Sequence, residues 1–452
     1  MFISPFIFYD MRISRLMKFV FFSAFIILTS GACGKESLEE YIKNRSVSLE
    51  VDGALNPLIE VAGDKKLVLL GEASHGTYEY YVWRDSISRR LIKERGFNFI
   101  AVEGDFASLY ELNRYVKNLP GAPGSAREVL SGLSRWPQWM WGNEEVVAMV
   151  EWLRAYNDKL PEEKLKAGFY GMDVYDEWRS KEAVLSSLEN EDIEIYRKVS
   201  NLYQCFAPYQ GDSWQYARSV QQGRSSCQEA ASQVVKLLES SERLAESMGE
   251  QDFFYLLQNA IVKQNAEKFY RKSATRQDAS GWNSRAHHMH ETVNRLLELY
   301  GEDSKGIVWA HNTHVGDARF TDMFNAGNQN IGELSRVYHG PENVFSVGFT
   351  TYKGRVLAGA SWEARMQDMR IAPARRNSVE YLFNKTGKEA FYLIFSEEDR
   401  THEDFMEPRG HRAVGVVFNP ANEPRQYVNT VLPLRYDAFF FFRNTGILNS
   451  LK

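Results

Sequence analysis

Cysteine is scarce in this chain, with three among 452 residues and no Cys-x-x-Cys pair. That excludes a disulfide-built miniature fold, a cysteine zinc site and a dithiol redox centre. No apolar run reaches the ~20 residues that a membrane-spanning helix needs. No cluster of Lys and Arg marks a nucleic-acid surface, and the formal net charge is −5. A Gly-x-Ser-x-Gly elbow, which would present a serine nucleophile, is absent, and no cysteine follows a strand-like stretch. Internal repeats and low-complexity linkers are missing too.

What remains is a globular composition, 44% hydrophobic and 25% charged, in a length that suits one large domain with an insertion or two domains. Aromatics reach 13%, with ten Trp, which serves a large core or the binding of bulky apolar matter. Residues 1–33 read as an export signal. Arg12, Arg15 and Lys18 precede an apolar run from Phe19 to Thr29, and Ser30-Gly31-Ala32 supplies small residues for cleavage. Met11 is the better start, since it puts the basic residues next to the apolar core. Cys33 follows directly, as in the lipobox of bacterial lipoproteins. The expectation is an exported protein whose membrane contact is a lipid at Cys33, with plain secretion as the alternative. Loss of residues 1–32, three basic and one acidic, leaves a charge of −7. In an oxidising compartment Cys205 and Cys227 form either one disulfide or two buried thiols.

The rest of the chain is organised around Leu67-Val68-Leu69-Leu70-Gly71-Glu72-Ala73-Ser74-His75-Gly76. Four apolar residues make a short buried strand that turns through glycine into an acid and an imidazole. A helical pattern runs from Thr77 to about Lys93, stops at Gly96, and gives way to a strand at Phe97–Val102. This is the spacing of one right-handed βαβ crossover. Before it, Ser37 to about Val61 reads as a short helix over the sheet edge. Within the crossover helix, Tyr80, Arg84, Ile87 and Leu91 share one face. Arg84 therefore points inward, where Glu72 and Glu103 are candidate partners, or snorkels at the flank.

Residues 118–143 read as a loop holding Arg135-Trp136-Pro137-Gln138-Trp139-Met140-Trp141. Trp136, Trp139 and Trp141 either wall a large-ligand cleft or cap the core. Glu144–Asn157 is an amphipathic helix, and Phe169-Tyr170-Gly171-Met172 is a strand ending at Asp173. From Glu177 to Leu299 helical patterns dominate. The last of these helices carries Arg285, His287, His288, Met289 and His290, and its histidines read as mostly surface residues. Strands resume at Gly306–Ala310, followed by His311-Asn312-Thr313-His314-Val315-Gly316. Val344–Thr350 and Arg355–Ala360 suggest a hairpin across Lys353-Gly354, and Phe391–Phe395, Ala413–Phe418 and Ala438–Phe442 are later strands. The expected architecture is an α/β fold with a mixed, largely parallel central sheet flanked by helices. Residues 37–176 and 301–452 form its two halves, and 177–300 is a helical insertion subdomain.

Four strands thus end in ionisable residues: Glu72 with His75, Glu103, Asp173, and His311 with His314. Carboxyl ends of parallel strands lie on one edge of a sheet, so these residues converge across more than two hundred positions of sequence. With no nucleophile available, a water attack with His75 as general base is the simplest chemistry. A carboxylate would orient the ring, and the other His and Arg donors would face the developing oxyanion. Glu72, His75, Glu103, His311 and His314 are also ligand types for Zn or Mn, so a metal-dependent hydrolase is a second reading. A lipid-anchored ligand-binding protein on the same scaffold is a third.

Taken in order, these motifs resemble the erythromycin esterase family. The resemblance rests on Gly71–Gly76 with Arg84 and Glu103, Glu151-Trp152-Leu153-Arg154-Ala155-Tyr156-Asn157, Phe169–Tyr175, Trp309–Gly316, Met369-Arg370-Ile371-Ala372-Pro373-Ala374 and Tyr436-Asp437-Ala438. It spans about residues 55–445. It implies a hydrolase that opens a small-molecule ester or macrolactone by activated water, without a covalent intermediate, an obligatory metal or another cofactor. His75 would be the base and Glu103 its acidic partner, with Glu72, Arg84, His311 and His314 lining the cleft. Asp173, Arg285, Met289 and the three loop tryptophans are candidates for contact with substrate. One departure stands out. The family usually has Arg-Asp before the Met of the late helix, whereas this chain has Arg285-Ala286, which would leave Arg285 freer or serve another substrate. Macrolide inactivation is one candidate activity among several, and no feature of the sequence sets an oligomeric state.

Overall fold

The computed structural model describes residues 36–276 and 278–452, so the expected signal segment and Cys33 lie outside the described residues. Leu38–Lys452 forms one compact unit. Its strands are β1 (Val47–Ser48), β2 (Leu67–Leu70), β3 (Phe99–Asp105), β4 (Gly168–Asp173), β5 (Gly306–Trp309), β6 (Val344–Gly359), β7 (Met366–Ile371), β8 (Ala390–Ile394), β9 (Arg409–Arg412), β10 (Tyr427–Thr430) and β11 (Ala438–Thr445). Nine of them form one sheet in the order β1-β8-β11-β6-β2-β5-β3-β4, with β7 added to β6, and β9 and β10 pair separately. From β11 across to β4 every neighbour is parallel, while β1, β7 and β8 pair antiparallel.

The apolar run of β2 explains its central place. Leu67, Val68, Leu69 and Leu70 are all fully buried, as a parallel strand covered on both faces requires. Alternate side chains feed two cores. Val68 and Leu70 join Ile100, Val102, Ile307 and Trp309 on one face. Leu67 and Leu69 join Phe99, Ala101 and Val308 on the other. The helix Tyr78–Arg95 covers the first face with Tyr80, Ile87 and Leu91. It ends where Gly96 adopts φ 72°, a left-handed stop suited to glycine. The helix Glu144–Asn157 lies on the same face, and its start is capped by Asn143, whose Oδ1 accepts from the Val146 amide at 2.9 Å.

Glu177 to Tyr300 carries helices and no strand among its described residues. Part of this stretch has its own apolar cluster, including Val184, Val199, Val234 and Leu256. Cys205 and Cys227 are joined there by a disulfide, with Cα atoms 5.8 Å apart. The final helix, Ser280–Tyr300, packs Met289, Val293 and Leu296 onto the sheet.

Four local expectations need correction. Val344–Gly359 is one continuous strand, not a hairpin. Gly354 serves close approach instead of a turn, since a Cβ there would lie 2.4 Å from the Thr445 carbonyl oxygen of β11. Ala413–Phe418 is not a sheet strand. It runs as a loop whose Val414 and Phe418 amides bond the carbonyls of Ala73 and Gly359. The single helix expected before β2 is two, Leu38–Arg45 and Asn56–Ala62, with β1 between them on the sheet edge. His288 and His290 are buried and His287 half-buried, because the helix that carries them packs on the sheet and also against Glu250–Thr275.

Candidate functional site

The four strands that end in ionisable residues are neighbours, β2-β5-β3-β4, so their carboxyl ends do converge. His75, Glu103, Asp173, His311 and His314 all line one cavity of about 510 Å³. Glu72 and Arg84 lie beneath it, both with no exposed surface. His75 Nδ1 is 2.8 Å from Glu72 Oε1, and Arg84 Nη2 donates to Glu72 Oε2 at 2.9 Å. The Arg84 guanidinium also lies over the rings of Tyr81, at 4.2 Å, and Trp309, at 4.8 Å. A buried cation is thus balanced by one carboxylate and two π faces. Arg84 is paired with Glu72 and not with Glu103.

Glu103 acts on His75 through its charge and makes its own contacts elsewhere. Its Oε1 accepts from Arg285 Nη2 at 2.8 Å and lies 3.2 Å from His314 Nε2, while Oε2 accepts from the His311 amide at 2.8 Å. The carboxylate in hydrogen-bond contact with His75 is Glu72. A bulge between Val102 and Asp105 positions Glu103, because β3 carries one extra residue there against β4. Gly104 permits this bend, since a Cβ on it would sit 2.5 Å from Leu109 and 2.7 Å from Trp141 Nε1.

Arg285 is held firmly. Asp173 takes its Nε at 2.8 Å and its Nη2 at 2.6 Å, in a bidentate pair, and Arg285 Nη1 is 3.2 Å from His314 Nε2. The Ala286 departure therefore leaves Arg285 no freer, because the β4 end supplies the carboxylate. The Trp282 ring stacks on His314, with centroids 4.6 Å apart and planes inclined by 10°. Tyr175 closes this side under Arg135 and Arg285, and Arg135 is itself clamped to Asp105 at 2.5 and 2.6 Å.

The field at each group follows from these contacts. Burial disfavours the His75 imidazolium, but the Glu103 and Glu72 carboxylates outweigh it and raise its pKa above the ordinary value. Burial and the neighbouring His75 hold His311 well below that value, hence neutral. Glu103 stays ionised against its own burial because His314, His75 and Arg285 hold its pKa well below the usual carboxylate range. Asp173 is likewise lowered, by Arg285 against burial. His311 Nδ1 accepts from the Thr313 amide at 3.3 Å, which puts its proton on Nε2, a buried atom without a hydrogen-bond partner.

The tryptophan loop and Met289 do not make the expected contacts. Trp139 and Trp141 are buried among core side chains, and Trp141 donates to the Glu103 carbonyl at 3.1 Å. Trp136 packs on Trp362 at 4.7 Å and donates to the Ala364 carbonyl. From this loop Arg135, Pro137 and Met140 reach the cavity. Met289 is fully buried against the sheet, because it shares a helix face with Arg285 but lies one turn, about 6 Å, further along the axis and past the cleft. Sequence reasoning missed Tyr175, Trp282 and Arg135 as cavity residues, along with the Ala413–Val428 stretch. Trp282 was within reach of a pattern argument, since it lies three residues before Arg285 on one helix.

Among the described residues no group of three or more His, Cys, Asp or Glu side chains is arranged to hold an ion. Both oxygens of Glu72 and of Glu103 already have protein partners. The second reading therefore gains nothing from the geometry.

The fold is shared with solved structures. A succinoglycan biosynthesis protein aligns with a TM-score of 0.74 at 20% identity, over 91% of this chain and 97% of its own. A protein from Bacillus cereus aligns with a TM-score of 0.75 at 20% identity, over 92% and 98%. A mutant of the erythromycin esterase EreC, in its open conformation, aligns with a TM-score of 0.65 at 16% identity, over 89% and 98%. In sequence, erythromycin esterase type II of Escherichia coli is 28% identical over 142 residues, a match covering 30% of this chain and 31% of that protein's length. The erythromycin esterase family model matches residues 92–445. With the fold shared and most of its length covered by that match, the chain belongs to the erythromycin esterase family, whose name is that of an ester hydrolase.

Proposed function

We propose that this protein hydrolyses a carboxylic ester or macrolactone by direct attack of water, with His75 as general base. The observation that carries the reading is the Glu72–His75 pair at 2.8 Å on the cavity floor. With Nδ1 engaged by Glu72, Nε2 is the nitrogen left for a water in the cavity. The water gives its proton to Nε2 as its oxygen attacks the carbonyl carbon. Glu72 then stabilises the imidazolium, and Arg84 keeps Glu72 ionised and oriented. The oxyanion that develops is met by the Arg285 cation, which lines the cavity. Collapse expels the alkoxide, which takes the proton back from His75.

The cavity wall supports an ester with a substantial apolar part, since Met140, Tyr175, Trp282, Met323, Trp362 and Tyr427 all line it. Mass spectrometry of incubations with macrolides and simple esters tests the reading by the gain of one water. Hydrolysis by the native chain and none by a folded His75→Ala variant is expected. Full turnover by that variant sinks the mechanism.

A further inference from the structure

A second Glu–His pair lies behind the cleft. His411, on β9, has no exposed surface, and its Nδ1 is 2.9 Å from Glu380 Oε1, whose residue is equally sealed. The same Glu380 oxygen accepts from Thr350 Oγ1 at 2.8 Å and from the Arg412 amide at 2.9 Å. It is an acceptor only, so His411 Nδ1 carries the proton and Nε2 is left to accept. At Nε2 sits Asn312 Nδ2, 3.1 Å away.

Asn312, just after β5, links the end of β2 to β6. Its Nδ2 also donates to the Phe349 carbonyl at 2.7 Å, and its Oδ1 accepts from the Phe349 amide at 3.3 Å. Its backbone amide donates to the Glu72 carbonyl at 2.8 Å, and His311 precedes it in the chain. Packing here is tight, since a Cβ on Gly71 would lie 2.1 Å from Asn312 Oδ1. From the other side, Val414, just beyond β9, donates its amide to the Ala73 carbonyl at 2.7 Å. The loop between Glu72 and His75 is therefore gripped from two directions by groups that His411 connects.

We infer that Glu380, His411 and Asn312 form a buried positioning relay that sets the placement of the Glu72–His75 loop and of His311, with no contact to substrate. The proton on His411 Nδ1 dictates the orientation of the Asn312 amide. That orientation ties the two catalytic strand ends to β6. The inference rests on the hydrolase reading for its kinetic arm and stands apart from it for its spectroscopic arm.

The test uses the full chain with nitrogen-15-labelled histidine, whose nine imidazoles report tautomer and surroundings. His411 is expected as the Nδ1–H tautomer. His411→Leu is expected to lower kcat about a hundredfold, the scale of a 1 Å misplacement, with KM within about twofold, and to shift the His75 and His311 resonances. His411→Gln, which offers an acceptor to Asn312 and a donor to Glu380, should recover most of kcat and the native resonances. Should His411→Leu fail to fold, Asn312→Asp, which replaces the donor facing His411 by an acceptor, carries the same expectation. A folded His411→Leu protein with native kcat and unmoved His75 and His311 signals overturns the relay. If the native chain hydrolyses no ester, the esterase reading fails, and the resonances alone decide the relay.

Discussion

Two buried Glu–His pairs are joined through Nδ1 with nearly the same geometry, Glu72–His75 at 2.8 Å and Glu380–His411 at 2.9 Å, and they differ in what surrounds them. His75 opens on a cavity and has a second carboxylate, Glu103, in its field, so its pKa is raised. His411 is sealed. Burial comes first in lowering its pKa, and the Arg435 and Arg412 cations act in the same direction against Glu380. One arrangement can take up a proton from a water, while the other stays neutral and holds a hydrogen-bond pattern. The pair itself does not make a base. Access to water and the sign of the next nearest charge do.

The largest expected effect comes from emptying the open pair. His75→Asn should cut kcat by about 10²- to 10⁴-fold, the range of positioned general-base catalysis, with little change in melting temperature. If instead the two pairs are equivalent structural pairs, the variant melts early and keeps its turnover per folded molecule.

Next comes Glu72→Gln. It leaves the buried Arg84 without its carboxylate, so urea unfolding should report a loss of about 3 kcal/mol or more, together with reduced kcat. Unchanged stability would mean that Arg84 is balanced by its ring contacts alone.

The comparison sharpens with pH. Because the neutral His75 is the active form and its pKa is raised, kcat/KM should climb with pH through an apparent pKa above 6.5. Glu103→Gln removes one of the two carboxylates that raise it. Losing a nearby negative charge favours the neutral imidazole, so the acid limb should move to lower pH. An acid limb that stays put would show that Glu103 does not act on His75.

The smallest effect is expected outside both pairs. Met289→Leu conserves volume in the core and should cost less than about 1.5 kcal/mol, with KM unchanged. A clear rise in KM would return Met289 to the cleft.

Much of the site could be read from the chain because it depends on local rules. The apolar run Leu67–Leu70, followed by glycine, an acid and an imidazole, reads as a buried parallel strand with polar residues at its carboxyl end. The same pattern recurs at Glu103, Asp173 and His311. The helical repeat of Tyr80, Arg84, Ile87 and Leu91 likewise places Arg84 inside, and all four are fully buried. Residues such as Trp139 and Trp141 resist this logic. An aromatic run on a loop has no periodicity, and whether it faces a ligand or the core depends on neighbours distant in sequence.

The sequence by itself determined that acids and imidazoles would gather on one sheet edge, since strand direction and the polarity of strand ends are short-range properties. It could not assign their partners. That Glu72 rather than Glu103 takes His75 Nδ1, that Asp173 holds Arg285, and that a bulge in β3 brings Glu103 to Arg285 and the His311 amide were decided by tertiary structure alone. The reason is physical: hydrogen bonds are made or lost over a few tenths of an ångström, and the register of β3 against β4, the bend at Gly104 and the packing of Ser280–Tyr300 on the sheet set distances at that scale.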